Sequence, residues 1–307
     1  MRTTIATLLA VLLCLPMAIA ADDSADSGSR LKIATTTSLY DTKLLDLLED
    51  KFEEEYGIEL DIVSGGTGIA IQYGEKGDVD MLMVHDKARE IKFIEDGYGL
   101  YRRCFAYNYF YVIGPSDDPA NIKGMNASSA LKTIMEMGMQ DPAKSKFVSR
   151  GDNSGTHSKE KSLWRAAGVD SATINATGDW YVEAGQGMGA TLMMAEEKQA
   201  YTLTDMSTFM AYRGNMTLMP LIEGSEDLLN VYAAIPISPV KHPNVNCAAA
   251  QTFIDFLVSA EGQEMIATYG EDKYGQPLFM SALGQCDVMG CNETECATPA
   301  AACPAPA

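Results

Sequence analysis

The sequence predicts an α/β protein in which helices cover strands that are mostly parallel. Between residues 31 and 96, short apolar stretches typical of strands alternate with stretches whose apolar residues recur at helical spacing. Loops rich in Gly, Ser and Thr follow these strands, and such strand-loop-helix repeats build parallel sheets. Apolar residues make up 47% of the 307 residues, which is enough for a substantial core in one or two domains.

The first third of the chain carries the clearest repeats. Its predicted elements are a strand over 31–34, a helix over 41–56, a strand over 58–63, a short helix after Gly68, a strand over 78–84 and a helix over 87–96. Gly57 is a suitable end for the first helix. An aromatic segment over 105–113 follows, and its Tyr and Phe content favours a strand that Gly114-Pro115 ends.

The remaining elements are shorter, and the composition changes towards the end of the chain. Predicted strands cover 147–148, 201–204 and 231–235, and predicted helices lie within 119–140 and over 158–167, 187–197 and 247–269. The last of these is predicted as one long amphipathic helix. Residues 284–307, which are rich in Cys, Ala and Pro, are expected to form a tail outside the main fold.

The first 20 residues have the composition of a secretory signal peptide. Arg2 precedes an apolar stretch from Ile5 to Met17, and Ala18-Ile19-Ala20 fits a small-residue cleavage site. We therefore predict an exported protein of the periplasm or cell surface, cleaved near Ala20. An uncleaved N-terminal anchor is the alternative.

The formal net charge of the chain is −19. This charge argues against a nucleic-acid partner, because phosphate neutralisation needs clustered Lys and Arg. It also argues against unspecific capture of small anions. Any anion site must therefore be local, built from oriented dipoles and a single positive side chain.

The cysteines predict disulfides. Of the seven in the chain, Cys14 lies in the signal segment, and an even number remains in an exported chain. Six cysteines allow 15 pairings. The expected arrangement pairs Cys104 with Cys247 and places two bridges within the tail.

Three loops share one design, in which Gly and small hydroxyl residues lie between a strand and a helix. They are Thr35-Thr36-Thr37-Ser38, Ser64-Gly65-Gly66-Thr67-Gly68 and the loop over 149–157. The first N–H groups of a helix lack partners within it, and the helix dipole makes that end partly positive, so it suits an anion. Any one loop alone is an ordinary helix cap or turn. Three together predict an oxyanion site at the carboxyl ends of the strands.

Arg150 is the predicted charged anchor, since its planar guanidinium can meet two oxygens of a dianion. Asp152 is expected to orient Arg150 or cap the following helix, because a carboxylate repels an oxyanion. His157 is predicted to support the start of the helix, with direct ligand contact as the alternative. The chain has three histidines and no His-Glu-x-x-His spacing or Walker-type lysine, so the sequence predicts a protein that is not an enzyme.

These motifs together resemble the TupA-type tungstate-binding components of ABC transporters. The resemblance covers about 31–270 and rests on the three loops, on Val84-His85 and on Tyr201-Thr202-Leu203-Thr204-Asp205. It implies a type II periplasmic-binding-protein fold with two lobes and a central ligand cleft. Lobe one would hold about 31–110 and 228–280, and lobe two about 111–227. The chain would cross between lobes over 105–113 and near 220–232.

The resemblance also implies a ligand set and partners. The anion would contact Thr37, Ser38 and Thr67 of lobe one and Arg150, Ser154, Gly155 and Thr156 of lobe two. Thr36, Gly68, Asp152 and His157 would lie around these. The ligand would be tungstate or molybdate, with no cofactor and no metal beyond the one in the oxyanion. The partners would be the membrane permease and ATPase subunits of an ABC importer, and the receptor itself would be a monomer.

One segment departs from the family pattern, and other functions remain open. Family members often carry Asp-Arg-Gly-Thr where this chain has Asp205-Met206-Ser207-Thr208, which removes one expected charge near the cleft. Receptors for molybdate or phosphate would share the same fold. An exported phosphoester hydrolase and a sensor or adhesion module are the alternatives from other classes.

Overall fold

The computed structural model describes residues 30–170, 173–174, 178–296 and 303. The predicted signal segment, residues 1–20, lies outside these residues. The strands are β1 Arg30–Thr36, β2 Glu59–Gly65, β3 Met81–Val84, β4 Arg103–Gly114, β5 Phe147–Ser149, β6 Tyr181–Glu183, β7 Tyr201–Asp205, β8 Met219–Ile222, β9 Leu229–Pro236 and β10 Met280–Ser281.

Helices connect most of these strands. They are α1 Thr37–Asp41, α2 Leu44–Tyr56, α3 Thr67–Lys76, α4 Lys87–Glu95, α5 Ala127–Gln140, α6 Gly155–Ala166, α7 Met188–Lys198, α8 Met206–Tyr212, α9 Cys247–Leu257, α10 Ala260–Thr268, α11 Glu271–Tyr274, α12 Cys286–Met289 and α13 Glu293–Cys296. No helix in the described ranges is both long and apolar enough to cross a membrane.

The strands form a mixed sheet, which confirms the predicted α/β class. Their order is β2-β1-β3-β9-β4-β7-β5-β6, with β8 and β10 also paired to β4. Pairing is parallel between β1 and its neighbours β2 and β3, and between β5 and its neighbours β6 and β7. Pairing is antiparallel wherever β4 or β9 takes part. The loops of the predicted site therefore follow parallel strands on both sides of β4 and β9.

The long strand β4 joins two groups of elements. Its first part, from Arg103 to Tyr109, pairs with β9, and its last part, from Phe110 to Gly114, pairs with β7 and β8. One apolar cluster around Phe52 and Phe253 runs from the β1 side across to Val148 of β5, and a second cluster surrounds Trp164 on the β5 side.

Two helix predictions need correction. The segment 247–269 is two helices, because Ser259 caps α10 by accepting a hydrogen bond from Gly262 N at 3.0 Å. In the segment 119–140 the helix begins only at Ala127, capped by Asn126. The Asp118 carboxylate instead accepts from Ile122 N and Lys123 N, which holds the preceding residues in a turn.

The described part of the C-terminal segment packs on the main fold, so the prediction of a separate tail is wrong for residues 284–296. Met289 is 2% exposed and belongs to an apolar cluster with Cys104 and Tyr107 of β4. The Arg102 guanidinium donates to Glu295 Oε1 at 3.0 Å.

The predicted pairing of Cys104 with Cys247 is also wrong, whereas the prediction of a bridge within residues 284–307 is confirmed for one bridge. Cys247 forms a disulfide with Cys303, and Cys286 forms one with Cys296. Cys104 lies instead beside Cys291. Sequence spacing could not show this, because β10 and α12 return the chain to β4.

Candidate oxyanion site

The structure brings the three predicted loops together around one small space. Its lining residues are Thr36, Thr37, Ser38, Gly65, Gly66, Thr67, His85, Arg150, Ser154 and Gly155. Residues from both sides of β4 therefore meet in one site. A wider opening beside it is lined by Gly68 and Asp152 together with Thr37, Gly66 and Arg150.

The first loop follows β1 and begins α1. Thr36 caps the helix, and its Oγ1 accepts from Leu39 N at 3.3 Å. Ser38 Oγ lies 3.4 Å from Thr36 Oγ1 and 3.2 Å from His85 Nε2. Thr35 Oγ1 donates to Met83 O at 2.9 Å, so this hydroxyl is used inside the sheet. The loop thus offers Thr37 and Ser38 to the site and keeps Thr35 for structure.

The second loop follows β2 and begins α3 at Thr67. Gly66 is the N-cap, and its carbonyl accepts from Ile69 N and Ala70 N at 2.8 and 3.1 Å. Thr67 is fully buried, and its Oγ1 has no hydrogen-bond partner among the described residues. A buried hydroxyl without a partner costs about 1–3 kcal/mol, so this donor is placed for a group the protein does not itself supply.

The third loop follows β5 and begins α6 at Gly155. Ser149 Oγ donates to the buried carboxylate of Glu160 at 2.6 Å, which fixes the end of β5. Ser154 Oγ caps the helix by accepting from His157 N at 3.2 Å. Thr156 is 1% exposed, and its Oγ1 has no partner in the described part of the chain. A second buried hydroxyl is thus available at this helix start.

Arg150 supplies the positive charge beside the small space. It is 4% exposed, and its Nε donates to Asp152 Oδ2 at 3.1 Å. Its Nη2 also donates to this oxygen, while Asp152 Oδ1 accepts from Ser154 N at 3.2 Å. Asp152 therefore orients the guanidinium and the helix start together.

His157 supports the loop backbone. Its Nδ1 accepts from Asn153 N at 3.1 Å, and Asn153 has a φ of 59°, a left-handed conformation that this bond helps to hold. Burial lowers the pKa of His157, with Lys161 acting in the same direction. The neutral ring thus accepts a hydrogen bond from the loop, and it lines neither the small space nor its opening.

Two contacts hold the sides of the site against each other. A Cβ on Gly155 would lie 2.9 Å from His85 Cε1 and 3.2 Å from Thr67 Oγ1, so only glycine permits this approach. Arg89 of α4 reaches across the opening and donates to Asn153 O at 3.0 Å and Asn153 Oδ1 at 2.6 Å. The two loops that follow β2 and β5 are therefore in close contact.

Sequence reasoning did not assign a site role to His85 and the asparagines behind it. His85 Nδ1 lies 2.9 Å from Asn230 Oδ1, and Asn230 Nδ2 donates to Asn108 Oδ1 and Tyr232 OH, both at 2.9 Å. Asn108 and Asn230 face each other on β4 and β9. The one signal in the sequence that could have indicated this network was a histidine directly after the buried strand β3.

The protonation of His85 follows from this network. Burial lowers its pKa, although Asp205 opposes the shift, so the ring is neutral near pH 7. Because Asn230 Nδ2 is used as a donor, its Oδ1 accepts from His85 Nδ1–H. His85 Nε2 is then an acceptor for the Ser38 hydroxyl.

The segment Asp205-Met206-Ser207-Thr208, which departs from the family pattern, satisfies its own buried carboxylate. Asp205 is fully buried and accepts from Thr208 N at 2.9 Å, from Thr208 Oγ1 at 2.8 Å and from Ser207 Oγ at 2.5 Å. These two hydroxyl residues satisfy the Asp205 carboxylate without an arginine.

The predicted site residues thus fall into three places. The small space is lined by Thr36, Thr37, Ser38, Thr67, Arg150, Ser154 and Gly155. Gly68 and Asp152 lie at its opening, and Thr156 is buried next to Gly155. Among the described residues, the wall of the small space has a single guanidinium and the unpartnered Thr67 hydroxyl, and the unpartnered Thr156 hydroxyl lies one residue beyond the lining residue Gly155.

Comparisons with known proteins identify the family of this chain. A family model described as a PBP superfamily domain matches residues 21–261. The tungstate-binding protein TupA of Peptoclostridium acidaminophilum is 43% identical over 80% of this chain and 84% of its own length. The solved structure of TupA from Desulfovibrio alaskensis G20 is 41% identical, with a TM-score of 0.71 over 82% of this chain and 98% of the other.

A second solved structure gives the same result. The tungstate ABC transporter structure from Geobacter sulfurreducens is 43% identical, with a TM-score of 0.69, and covers 78% of this chain and 98% of the other. The chain therefore belongs to the TupA family of solute-binding proteins within the PBP superfamily.

Proposed function

We propose that this protein is an exported receptor that captures tungstate in the small space between the three loops and delivers it to an ABC importer. The ligand contacts would be Thr37, Ser38, Thr67, Arg150, Ser154, Gly155 and Thr156. The division into lobe one, lobe two and a cleft between them is part of the same proposal, and the change of partners along β4 supports it.

The observation that carries this proposal is the pair of unpartnered threonine hydroxyls. Thr67 and Thr156 are at most 1% exposed, and neither Oγ1 has a partner within the described ranges. Water cannot reach these atoms as it reaches a surface hydroxyl. An oxyanion held between the two helix starts would accept from both, which removes the cost of burying them.

The electrostatics of the site suit a fully ionised dianion. Arg150 contributes one positive charge, and the starts of α3 and α6 contribute partial positive charge and free N–H groups. The neutral His85 adds no charge. Charge-assisted hydrogen bonds contribute about 1.5–3 kcal/mol each, so several suffice for tight binding of a small ligand.

Tungstate fits the small space better than phosphate because none of the described residues that line this space carries a carboxylate. Phosphate keeps a proton near neutral pH, and a receptor for it needs a carboxylate that accepts this proton. The described residues that line the small space include no Asp or Glu, and the nearby Asp152 is engaged by Arg150 and Ser154 N. Tungstate carries no such proton. Molybdate matches it in charge and shape and remains the closest competitor.

The deciding experiment is calorimetric titration of the mature protein with four anions: tungstate, molybdate, sulfate and phosphate. We expect one site per chain for tungstate, weaker or equal binding of molybdate, and at least a hundredfold weaker binding of sulfate and phosphate. Elemental mass spectrometry of protein purified from cells supplied with both metals would show which one it retains. A preference for phosphate or sulfate, or no binding of any of the four, would overturn the proposal.

Delivery and export require separate tests. Incubation with the membrane permease and ATPase subunits of a tungstate ABC importer should give a complex that forms with tungstate-loaded receptor. N-terminal sequencing of the secreted protein should begin close to Ala21. A mature chain that still carries residues 1–20 would favour a membrane anchor.

A further inference from the structure

A pair of cysteines lies outside the binding site and outside the two disulfides. Cys104 is at the start of β4 and fully buried, and Cys291 follows α12 in the C-terminal segment. Their sulfur atoms are 2.8 Å apart. That separation is within about 1 Å of a disulfide bond length. The two side chains therefore need only a small movement to bond.

The local backbone delivers Cys291 to this position. Gly290 ends α12 with a φ of 58°, and Cys291 N donates to Cys286 O at 3.0 Å. Lys87 Nζ donates to Gly290 O at 2.6 Å, which ties the turn to α4. The turn is thus held from both sides, and the cysteine pair is not a chance meeting of two loose loops.

A buried arginine, Arg102, lies close to the sulfur atoms of both cysteines. Arg102 Nη1 donates to Cys104 Sγ at 3.0 Å and lies 3.5 Å from Cys291 Sγ. The hydrogen bond from the Cys104 thiol, supported by Arg102, lowers the pKa of Cys291 to about 6. Cys291 is also the more exposed of the two. It is therefore the thiolate that an external oxidant would meet first.

We propose that Cys104 and Cys291 form a third disulfide, which fastens the C-terminal segment to the strand that joins the two groups of elements. The Cys291 thiolate attacks one sulfur of the disulfide of an oxidant, either a dithiol oxidase in its disulfide form or glutathione disulfide. The S–S bond of the oxidant breaks, its other sulfur leaves as a thiolate, and a mixed disulfide with Cys291 forms. Cys104 then loses its proton and attacks Cys291 Sγ. The S–S bond of the mixed disulfide breaks, and the oxidant leaves with two electrons as a reduced thiol.

This bond has a structural consequence near the ligand. Glu90 Oε2 accepts from Arg102 Nε at 2.5 Å, and Glu90 Oε1 accepts from Asp86 N at 2.6 Å. Asp86 directly follows His85. The third disulfide therefore closes over the Arg102–Glu90 pair that holds the loop carrying His85.

The test is thiol counting and peptide mapping of the full mature protein as isolated from the exporting cell. Unfolded protein is alkylated without reduction and then cut with trypsin and a protease that cleaves after Asp and Glu. Cleavage after Asp287 and Glu293 isolates Cys291 in the fragment 288–293, apart from Cys286 and Cys296. We expect no alkylated cysteine and a fragment starting at Cys104 joined to 288–293.

Two variants give the matched comparison. In Cys291→Ser the Cys104 thiol should become the one that alkylates after unfolding, and the melting temperature should fall by several degrees because the unfolded chain loses a cross-link. In the double variant Cys286→Ser/Cys296→Ser the fragment joined to Cys104 should be unchanged. Two alkylated cysteines in the protein without substitutions, or a link from Cys104 to another fragment, would overturn the proposal. Neither the peptide map nor the melting temperature measured without ligand depends on anion binding.

Discussion

Among single side chains, two threonines show most clearly how a residue that stabilises the fold differs from one that we propose to bind the ligand. Thr35 and Thr67 are both fully buried at the ends of neighbouring strands. The Thr35 hydroxyl donates to Met83 O, whereas the Thr67 hydroxyl has no partner within the described residues. The first stabilises the sheet, whereas the unsatisfied second hydroxyl lowers the stability of the empty protein, as expected for the ligand contact that we propose for Thr67.

Replacing Thr67 by Val should therefore weaken tungstate binding while leaving the empty protein as stable or more stable. Valine keeps the shape and removes the hydroxyl, so binding should lose roughly ten- to a hundredfold, the value of about 1.5–3 kcal/mol for a charge-assisted hydrogen bond. Calorimetry gives the affinity, and thermal unfolding without ligand gives the stability.

The matched control is Thr35→Val, which removes an equally buried hydroxyl from the neighbouring strand β1. It should lower the melting temperature, because Met83 O loses its donor, and it should change the affinity by less than about threefold. If both variants weakened binding equally, the Thr67 hydroxyl would have no special role in the site.

Arg150 should matter more than any hydroxyl, because among the described residues it is the one cation at the wall of the small space. Arg150→Ala should weaken tungstate binding by well over tenfold, in part because the freed Asp152 carboxylate then repels the anion. The double variant Arg150→Ala/Asp152→Asn should recover part of this loss. Calorimetry on the three proteins checks both effects, and unchanged affinity in Arg150→Ala would remove this residue from the ligand contacts.

At the scale of elements, the strands and helix starts around the site were predictable because local chemistry sets them. Buried apolar runs predicted β1, β3 and β4, and the Ser-Gly-Thr loops indicated that helices follow β2 and β5, although α3 begins at Thr67 and not after Gly68. The helix predicted over 158–167 begins earlier, at Gly155, because Ser154 caps it. A glycine at a helix start looks like a loop residue until its position is known.

Other parts depend on contacts between distant residues, which one sequence cannot show. The network from His85 through Asn230 to Asn108 joins β3, β9 and β4, and no local pattern links these positions. The packing of Met289 on β4 has the same cause. Cysteine composition predicted disulfides correctly but could not choose Cys247 and Cys303 as partners.

Gly155, at the start of α6, lies against His85 and Thr67. This contact leads to a prediction about how closely the two sides of the site approach each other. In Gly155→Ala the added Cβ would lie 2.9 Å from His85 Cε1, so the two sides could not approach as closely. Overpacking of this kind costs about 1–3 kcal/mol, which corresponds to tungstate binding that is roughly five- to a hundredfold weaker.

Gly214→Ala is the control for this change. Gly214 has a negative φ, an added Cβ there would point into open space, and the residue lies in the 3₁₀ turn Arg213–Asn215 outside the site. Its substitution should leave affinity within about twofold of the original. Equal binding by Gly155→Ala and the original protein would show that the ligand is held without close approach of the two sides.

For the whole molecule, the problem is that an acidic protein must attract an anion. The formal net charge is −19, while the described residues at the wall of the small space carry one guanidinium and no carboxylate. The attraction is short-ranged and acts through dipoles and Arg150, whereas the repulsion comes from the entire surface. Mobile ions screen the distant charges and leave the buried site almost unchanged.

Salt should therefore speed the capture of tungstate. The screening length falls from about 30 Å at 0.01 M to about 8 Å at 0.15 M ionic strength, which removes most of the surface repulsion. We expect the association rate constant to rise roughly two- to tenfold over this range and the dissociation rate constant to change little. Stopped-flow tryptophan fluorescence can follow binding, since Trp164 lies on the helix that begins at Gly155. Sodium chloride must be the salt, because sulfate is itself a competing oxyanion. An association rate that falls with salt would show that local positive potential, and not the net charge, governs the approach of the ligand.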